Sequence, residues 1–226
     1  KNSFSNNTVG SYAYGLYSYY FNGTHNQNKI MNNTLYNANY SYYYGYIYAM
    51  QPIYYFNFQC NNNIIANNLG YYGTMGVYGY SYNSGSYSAE CRQNTIQQDG
   101  AKCTYTYNYN YALYFYPYYH TKIEVSGNIV DVQNAYYAYP CYTYSTSLNN
   151  YVRWDYNTYY VKNMTGGQFW YCPAGSASDF AGWKSLGFTN AQNENFNDPI
   201  FVDKSNSDFR SNCFETQNNV PQFNGI

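Results

Sequence analysis

The sequence predicts an all-β chain wound as a solenoid. Three observations carry that prediction. Helical signals are nearly absent before residue 175, where no window sets apolar residues at spacings of three and four between caps. Period-2 alternation is common instead: Tyr40, Tyr42, Tyr44, Tyr46 and Tyr48 form one run, and Tyr105, Tyr107, Tyr109 and Tyr111 another. Alternation of this kind puts one set of side chains on one face of a strand. Third, an Asn followed two places later by an aliphatic residue recurs at Asn7, Asn33, Asn67, Asn94 and Asn128, with a weaker match at Asn163. The steps are 26, 34, 27, 34 and 35 residues, a spacing typical of solenoid repeats.

Each element follows from that frame. A solenoid turn cannot bury its apolar face alone, so like positions stack along the axis. Ile30 precedes Asn33, Ile64 precedes Asn67, and Ile123 and Val125 precede Asn128, which supplies an inward residue for each turn. Asn at a corner tolerates the left-handed backbone of a sharp bend, and its amide can bond to the Asn of the next turn. The stretch "GTMGVYG" (73–79) has no phosphate-binding Lys and reads as a tight corner. Leu, Ile, Val and Phe total only 38 residues, whereas Tyr alone contributes 38 and Asn 35. The core is therefore thin. Outward Tyr stacked about 4.8 Å apart from turn to turn would supplement it while keeping the hydroxyls in water, and some Tyr must also face inward.

Here the chain resembles a known family. "NKIMNNTLYN" (28–37) and "NNNIIANNLGYYG" (61–73) look like rungs of right-handed parallel β-helix proteins of the pectate-lyase-like superfamily. The tail resembles their closing segment through Trp183, Gly187, Phe188, Asp198, Pro199, Phe201, Val202, Asp203, Asp208, Phe209 and Arg210. It departs from the family's usual Pro-rich ending with "SNCFETQNNVPQFNGI". The resemblance implies a right-handed parallel β-helix of about six coils over residues 1–175, followed by a capping strand and irregular tail over 176–226.

Six Cys are present without CxxC pairs, and both His25 and His120 lie far from any Cys in sequence, which argues against a zinc site. An even count fits disulfides in an oxidising compartment. Cys60 to Cys91 and Cys141 to Cys172 are both 31 residues, close to one coil, so bridges Cys60–Cys91 and Cys141–Cys172 are expected. Cys103 and Cys213 remain and pair only if the tail folds back; the rival is a local Cys91–Cys103 bridge. Sequons at Asn6, Asn22, Asn32, Asn39 and Asn163 point to glycosylation and an extracellular or cell-surface site. The start at Lys1-Asn2-Ser3 reads as a mature chain or a fragment.

Charge excludes more than it identifies. Only 9% of residues are charged and the net charge is −1, so nothing draws in nucleic acid by long-range attraction. No run of 18 apolar residues exists to make a spanning helix. Superfamily lyases use a Lys or Arg base beside acidic groups or calcium, and the hydrolases use paired carboxylates. Here Lys122, Glu124, Asp131, Arg153, Asp155 and Lys162 would gather in one patch if coils stack. Solvated surface pairs account for them more simply. Neither His has a Ser or Cys partner implied by spacing. Asp198, Asp203 and Asp208 read as turn caps; calcium there has no further support, and no cofactor is expected. Trp154, Trp170 and Trp183, with the Tyr, offer apolar ring faces to sugars. The leading expectation is a structural or adhesive protein that associates with copies of itself in a filament or sheath. The alternatives are a polysaccharide lyase and a non-catalytic glycan-binding module.

Overall fold

The structure, a computed structural model, describes residues 2–10, 13–20, 22–35, 45–53, 57–81, 88–117, 122–143, 151–167, 170–172, 175–186, 193–206 and 208–211. The chain is a parallel β-solenoid with three long sheets running along its axis. The first sheet stacks Ser3–Ser5, Lys29–Met31, Ile64–Ala66, Thr95–Asp99, Ile129–Gln133 and Thr158–Lys162. The second and longest, here the tyrosine sheet, stacks Ala13–Tyr19, Tyr46–Ile53, Gly73–Ser81, Tyr109–Pro117 and Tyr137–Thr143. It ends in Gly166–Gly167, Trp170–Cys172 and the antiparallel edge Gly175–Ala177. The third stacks Gly23–Thr24, Asn57–Asn61, Ser88–Arg92, Lys122–Ser126 and Tyr151–Asp155. Strands of three or more residues occupy all three sides in about four turns, not the six expected. In the first turn the third side is only two residues long, and the last turn breaks into the antiparallel edge.

The core is a set of columns, one residue per turn. The first sheet contributes Phe4, Ile30, Ile65, Ile96, Val130 and Tyr159 in register. Leu16, Met50, Val77, Leu113 and Cys141 come from the tyrosine sheet, and Cys60, Cys91, Val125 and Trp154 from the third. Tyr159 faces inward and is almost wholly buried, as the Tyr surplus requires.

Two corners hold the register. Before the first sheet, Gln27, Asn62, Gln93, Gly127 and Tyr156 all have φ between 55° and 64°, and each is followed by an Asn. These amides form one ladder: Asn2, Asn28, Asn63, Asn94 and Asn128 each donate Nδ2 to the Oδ1 of the next, ending at Asn157, at 2.8–3.2 Å. Glu194 closes it by accepting from the Asn157 backbone N–H and Nδ2 (2.8 and 3.1 Å). All the amides point the same way, with their N–H ends toward the tail, so a carboxylate is the natural terminator there. After the first sheet, Asn6, Asn32 and Asn67 take φ of 52–60°, and the following Asn7, Asn33 and Asn68 make a shorter ladder.

The single ladder expected from Asn7, Asn33, Asn67, Asn94, Asn128 and Asn163 is therefore two. Its pairs Asn7–Asn33 and Asn94–Asn128 stand. Asn67 is instead a corner residue whose N–H bonds to Gln97, and Asn163 bonds to Asn134 on the second corner. Both corners carry Asn, so one spacing merges two ladders, and in the pair Asn67-Asn68 a single residue moves a side chain from the corner onto the ladder.

Two further expectations are corrected. The "GTMGVYG" stretch lies in strand Gly73–Ser81, not a corner; a β-carbon at Gly73 or Gly76 would collide with the carbonyl of Tyr109 or Ala112 on the next strand. Tyr105 and Tyr107 fall in a turn after the short 3-10 segment Gly100–Lys102, and the strand starts only at Tyr109.

The tail leaves the tyrosine sheet through a helix at Phe180–Ser185, whose Trp183 packs edge-on against Trp154 (5.8 Å) and closes that end of the core. The hairpin Phe201–Asp203 and Asp208–Ser211 then folds back, setting Phe201 and Phe209 on Met31 and Ala66, on the outer side of the first sheet.

Candidate functional site

The distinctive surface is the outer side of the tyrosine sheet. A short motif builds it: Tyr14-Gly15-Leu16-Tyr17, Tyr48-Ala49-Met50-Gln51, Met75-Gly76-Val77-Tyr78, Tyr111-Ala112-Leu113-Tyr114 and Tyr139-Pro140-Cys141-Tyr142. Cα pairing skips the small residue in each of these strands. The backbone kinks there, so the two flanking aromatic positions, three apart, emerge on the same side instead of opposite sides. Tyr14–Tyr17 and Tyr111–Tyr114 accordingly meet edge to face at 5.3 and 5.7 Å. Period-2 reading misses this; the recurring Tyr-small-aliphatic-Tyr word would have revealed it.

Between turns the rings stack. Tyr78, Tyr114, Tyr142 and Tyr171 follow one another at 4.5, 4.6 and 4.6 Å, tilted by 21° or less. Tyr111 stacks on Tyr139 at 4.8 Å, and Tyr80 lies on Tyr116 at 5.1 Å. Burial and the neighbouring phenols push the Tyr114 hydroxyl well above its ordinary pKa, so it stays protonated. No strand of this sheet contains Asp, Glu, Lys or Arg. In a stacked ladder the ring faces cover one another. What remains for a partner is ring edges and hydroxyls. A second aromatic group, Tyr71, Tyr72, Tyr105, Tyr107, Tyr136 and Tyr137, gathers mainly by edge-to-face contacts beside the Gly100–Lys102 turn.

Among the described residues the expected charged patch is divided between two sheets. Glu124 faces outward on the third sheet, bound to Arg92, which also reaches Glu90 (3.3 Å). Arg153 is its register partner by backbone. Asp155 is held by the Asn193 N–H and Nδ2 (2.6 and 2.9 Å). Asp131 and Lys162 belong to the first sheet, across a corner. Asp131 is fully buried beneath the tail hairpin, bonded to Lys204 (2.6 Å) and Gln133 (2.7 Å); burial pushes its carboxyl up against the pull of that lysine. Lys162 is exposed, and the side chains of Lys122 and Arg153 lie outside the described ones. The reason is topological: Lys122, Glu124, Arg153 and Asp155 share a sheet, and a left-handed corner turns Asp131 and Lys162 away from it.

The sugar-platform reading of the tryptophans is also corrected. Trp154 and Trp183 are 1% and 2% exposed, and the Trp154 Nε1–H donates to the Tyr159 hydroxyl at 3.0 Å. They are core residues; the Trp170 side chain lies outside the described ones.

Cys60 and Cys91 are register partners, as their spacing requires, but both are free buried thiols. The Cys60 sulfur lies within reach of two acceptors for its single S–H, the Met50 sulfur (3.3 Å) and Asn94 Oδ1 (3.7 Å). Cys141 is also a free thiol, opposite Trp170; the Cys172 side chain and Cys213 lie outside the described residues. Cys103 is free, so the Cys91–Cys103 alternative is not formed either; burial, with Asp99 nearby, pushes its thiol up to about 12.

His25 does have a serine partner: Ser18 Oγ and His25 Nε2 share a hydrogen bond of 3.0 Å, and burial lowers the imidazole pKa. His120 lies outside the described residues. Of the sequon Asn, Asn6, Asn22 and Asn163 are exposed and Asn32 is half-buried; Asn39 lies outside the described residues. Asp198 and Asp203 accept backbone N–H groups of Ile200, and of Ser205 and Asn206, which is turn capping. Among the described residues no three His, Cys, Asp or Glu side chains converge. Among the described residues no helix is long and apolar enough to cross a membrane. No family model matches the sequence, and neither a curated protein nor a solved structure matches it.

Proposed function

We propose that this chain is an extracellular structural subunit that associates side by side with copies of itself through the tyrosine sheet. The observation that supports this reading is a face of eight charge-free strands whose outer side carries the tyrosine ladders. A surface without charge repels no identical copy and selects no oppositely charged partner. Edges and hydroxyls of one ladder complement those of another, so the face suits a self-complementary contact. Lateral rather than end-to-end association is favoured because the tail closes one end of the solenoid. The pectate-lyase-like affinity of the rungs and closing segment belongs to this reading, as does glycosylation at Asn6, Asn22, Asn32 and Asn163. Sedimentation over a concentration series, with electron microscopy, tests it. Growing assemblies are expected for the native chain, and monomers for the double variant Tyr17→Glu, Tyr80→Glu. A native chain that stays monomeric at every concentration would refute it.

A further inference from the structure

The tyrosine sheet is continuous in a second sense. Ring contacts run without a break from Tyr171 through Tyr142, Tyr114, Tyr78, Tyr48 and Tyr14 to Tyr17, at centroid steps of 4.6, 4.6, 4.5, 5.6, 5.3 and 5.3 Å. At the Tyr17 end the rings open to solvent. Tyr17, Tyr19 and Tyr20 are 51%, 53% and 59% exposed; among the described tyrosines only Tyr107 is comparably open. Tyr19 and Tyr20 meet edge to face at 4.7 Å. Tyr20 has φ 51°, a left-handed conformation that a bulky residue rarely adopts, and its N–H is pinned to the Ile53 carbonyl at 3.0 Å. The strained turn directs two consecutive phenols outward where an unstrained strand would alternate them.

We propose that Tyr17, Tyr19 and Tyr20 form an oxidative coupling site, at which a haem peroxidase working with hydrogen peroxide joins two copies of this chain by a dityrosine bond. The inference rests on the side-by-side association argued above, which brings these residues of two copies together. One phenol on each copy gives up an electron and its hydroxyl proton, leaving two phenoxyl radicals. Their ortho carbons form the new C–C bond. Each ring then loses its ortho proton and regains the phenol O–H. Two hydrogens are removed in total, and one peroxide accepts both, together with its own two, as two waters. The exposed phenols are open to the oxidant and to a second copy, and the half-buried ladder rings are less so. A radical formed on a ladder ring has neighbouring rings to cross until it reaches Tyr17.

The test treats the native chain with a haem peroxidase and hydrogen peroxide, then separates denatured products and maps the linked peptides. Covalent dimers are expected, with the linkage between peptides holding Tyr17, Tyr19 or Tyr20, and with most of it lost in the triple variant Tyr17→Phe, Tyr19→Phe, Tyr20→Phe. Linkages mapping elsewhere, or a triple variant that couples as well as the native chain, would overturn the site. Sedimentation of untreated protein separates the two ideas. Assemblies that yield no dityrosine dismiss the coupling alone. Untreated monomers that couple through these residues on treatment retain the site and dismiss the association.

Discussion

The Asn ladder and the tyrosine ladders both repeat one residue type along the same axis, and they differ in what they tolerate. The Asn ladder runs without interruption from Asn2 to Asn157 and ends on a carboxylate. The tyrosine columns are broken: Met75 stands between Tyr48 and Tyr111, and Gln51 between Tyr17 and Tyr78. A buried amide has four hydrogen-bonding sites and few partners, so any other side chain leaves neighbours above and below unsatisfied. Ring stacking is non-directional by comparison, and its columns admit a buried thioether at Met75 and a buried amide at Gln51. The Asn corner therefore fixes the register, and the tyrosine face is free to carry a surface role.

The contrast breaks first at the Asn corner. Asn94→Ala would take the Asn94 Oδ1 acceptor from the Asn63 N–H and from one hydrogen of Asn63 Nδ2, and the Nδ2 donor from the Cys60 carbonyl. A loss of about 4 kcal/mol in chemical denaturation is expected from several orphaned buried groups. Tyr114→Ala removes two stacking contacts from a half-exposed ring, and a loss of about 2 kcal/mol is expected by the same measurement. Should Tyr114→Ala prove the costlier of the two, the division of labour between the ladders would be wrong.

The smallest expected effect concerns Asp131, beneath the tail. Its pKa in the folded chain is raised by burial, so the folded state holds the proton more tightly than the unfolded one. The stability this group contributes is present in acid and declines as pH rises from the ordinary carboxylate range through the raised value. Asp131→Asn should flatten that slope in denaturation curves taken across the acid range. At neutral pH it should stay within about 1 kcal/mol of the native chain, because a buried ion pair adds little net stability. A steeper slope, or a large loss at neutral pH, would mean that Lys204 and Asp131 are the main lock of the tail.

Much of the architecture was legible in the residues. Asn recurring about every 31 positions gave the solenoid, because a left-handed corner and a buried amide are needed once per turn whatever the loops between them. The burial of Trp183 was not legible, since the sequence offered its ring face to sugars. The tyrosine face was only half legible. Alternation implied outward rings, but the kink at Gly15, Ala49, Gly76, Ala112 and Pro140 changes the period from two to three at the point that matters. The Ser18–His25 bond was not legible at all, since it closes a bend between sheets rather than a repeat.

By itself, then, the sequence determined that the chain coils, that Asn lines its corners and that Tyr clothes its outside. These follow from local requirements that recur in every turn. Only the tertiary structure decided which Asn of each run enters the ladder, that Cys60 and Cys91 stay thiols, that Trp154 is buried, and that Asp131 and Asp155 lie on different sheets. Each of those depends on where loops of unequal length deliver the next strand, and no single turn contains that information.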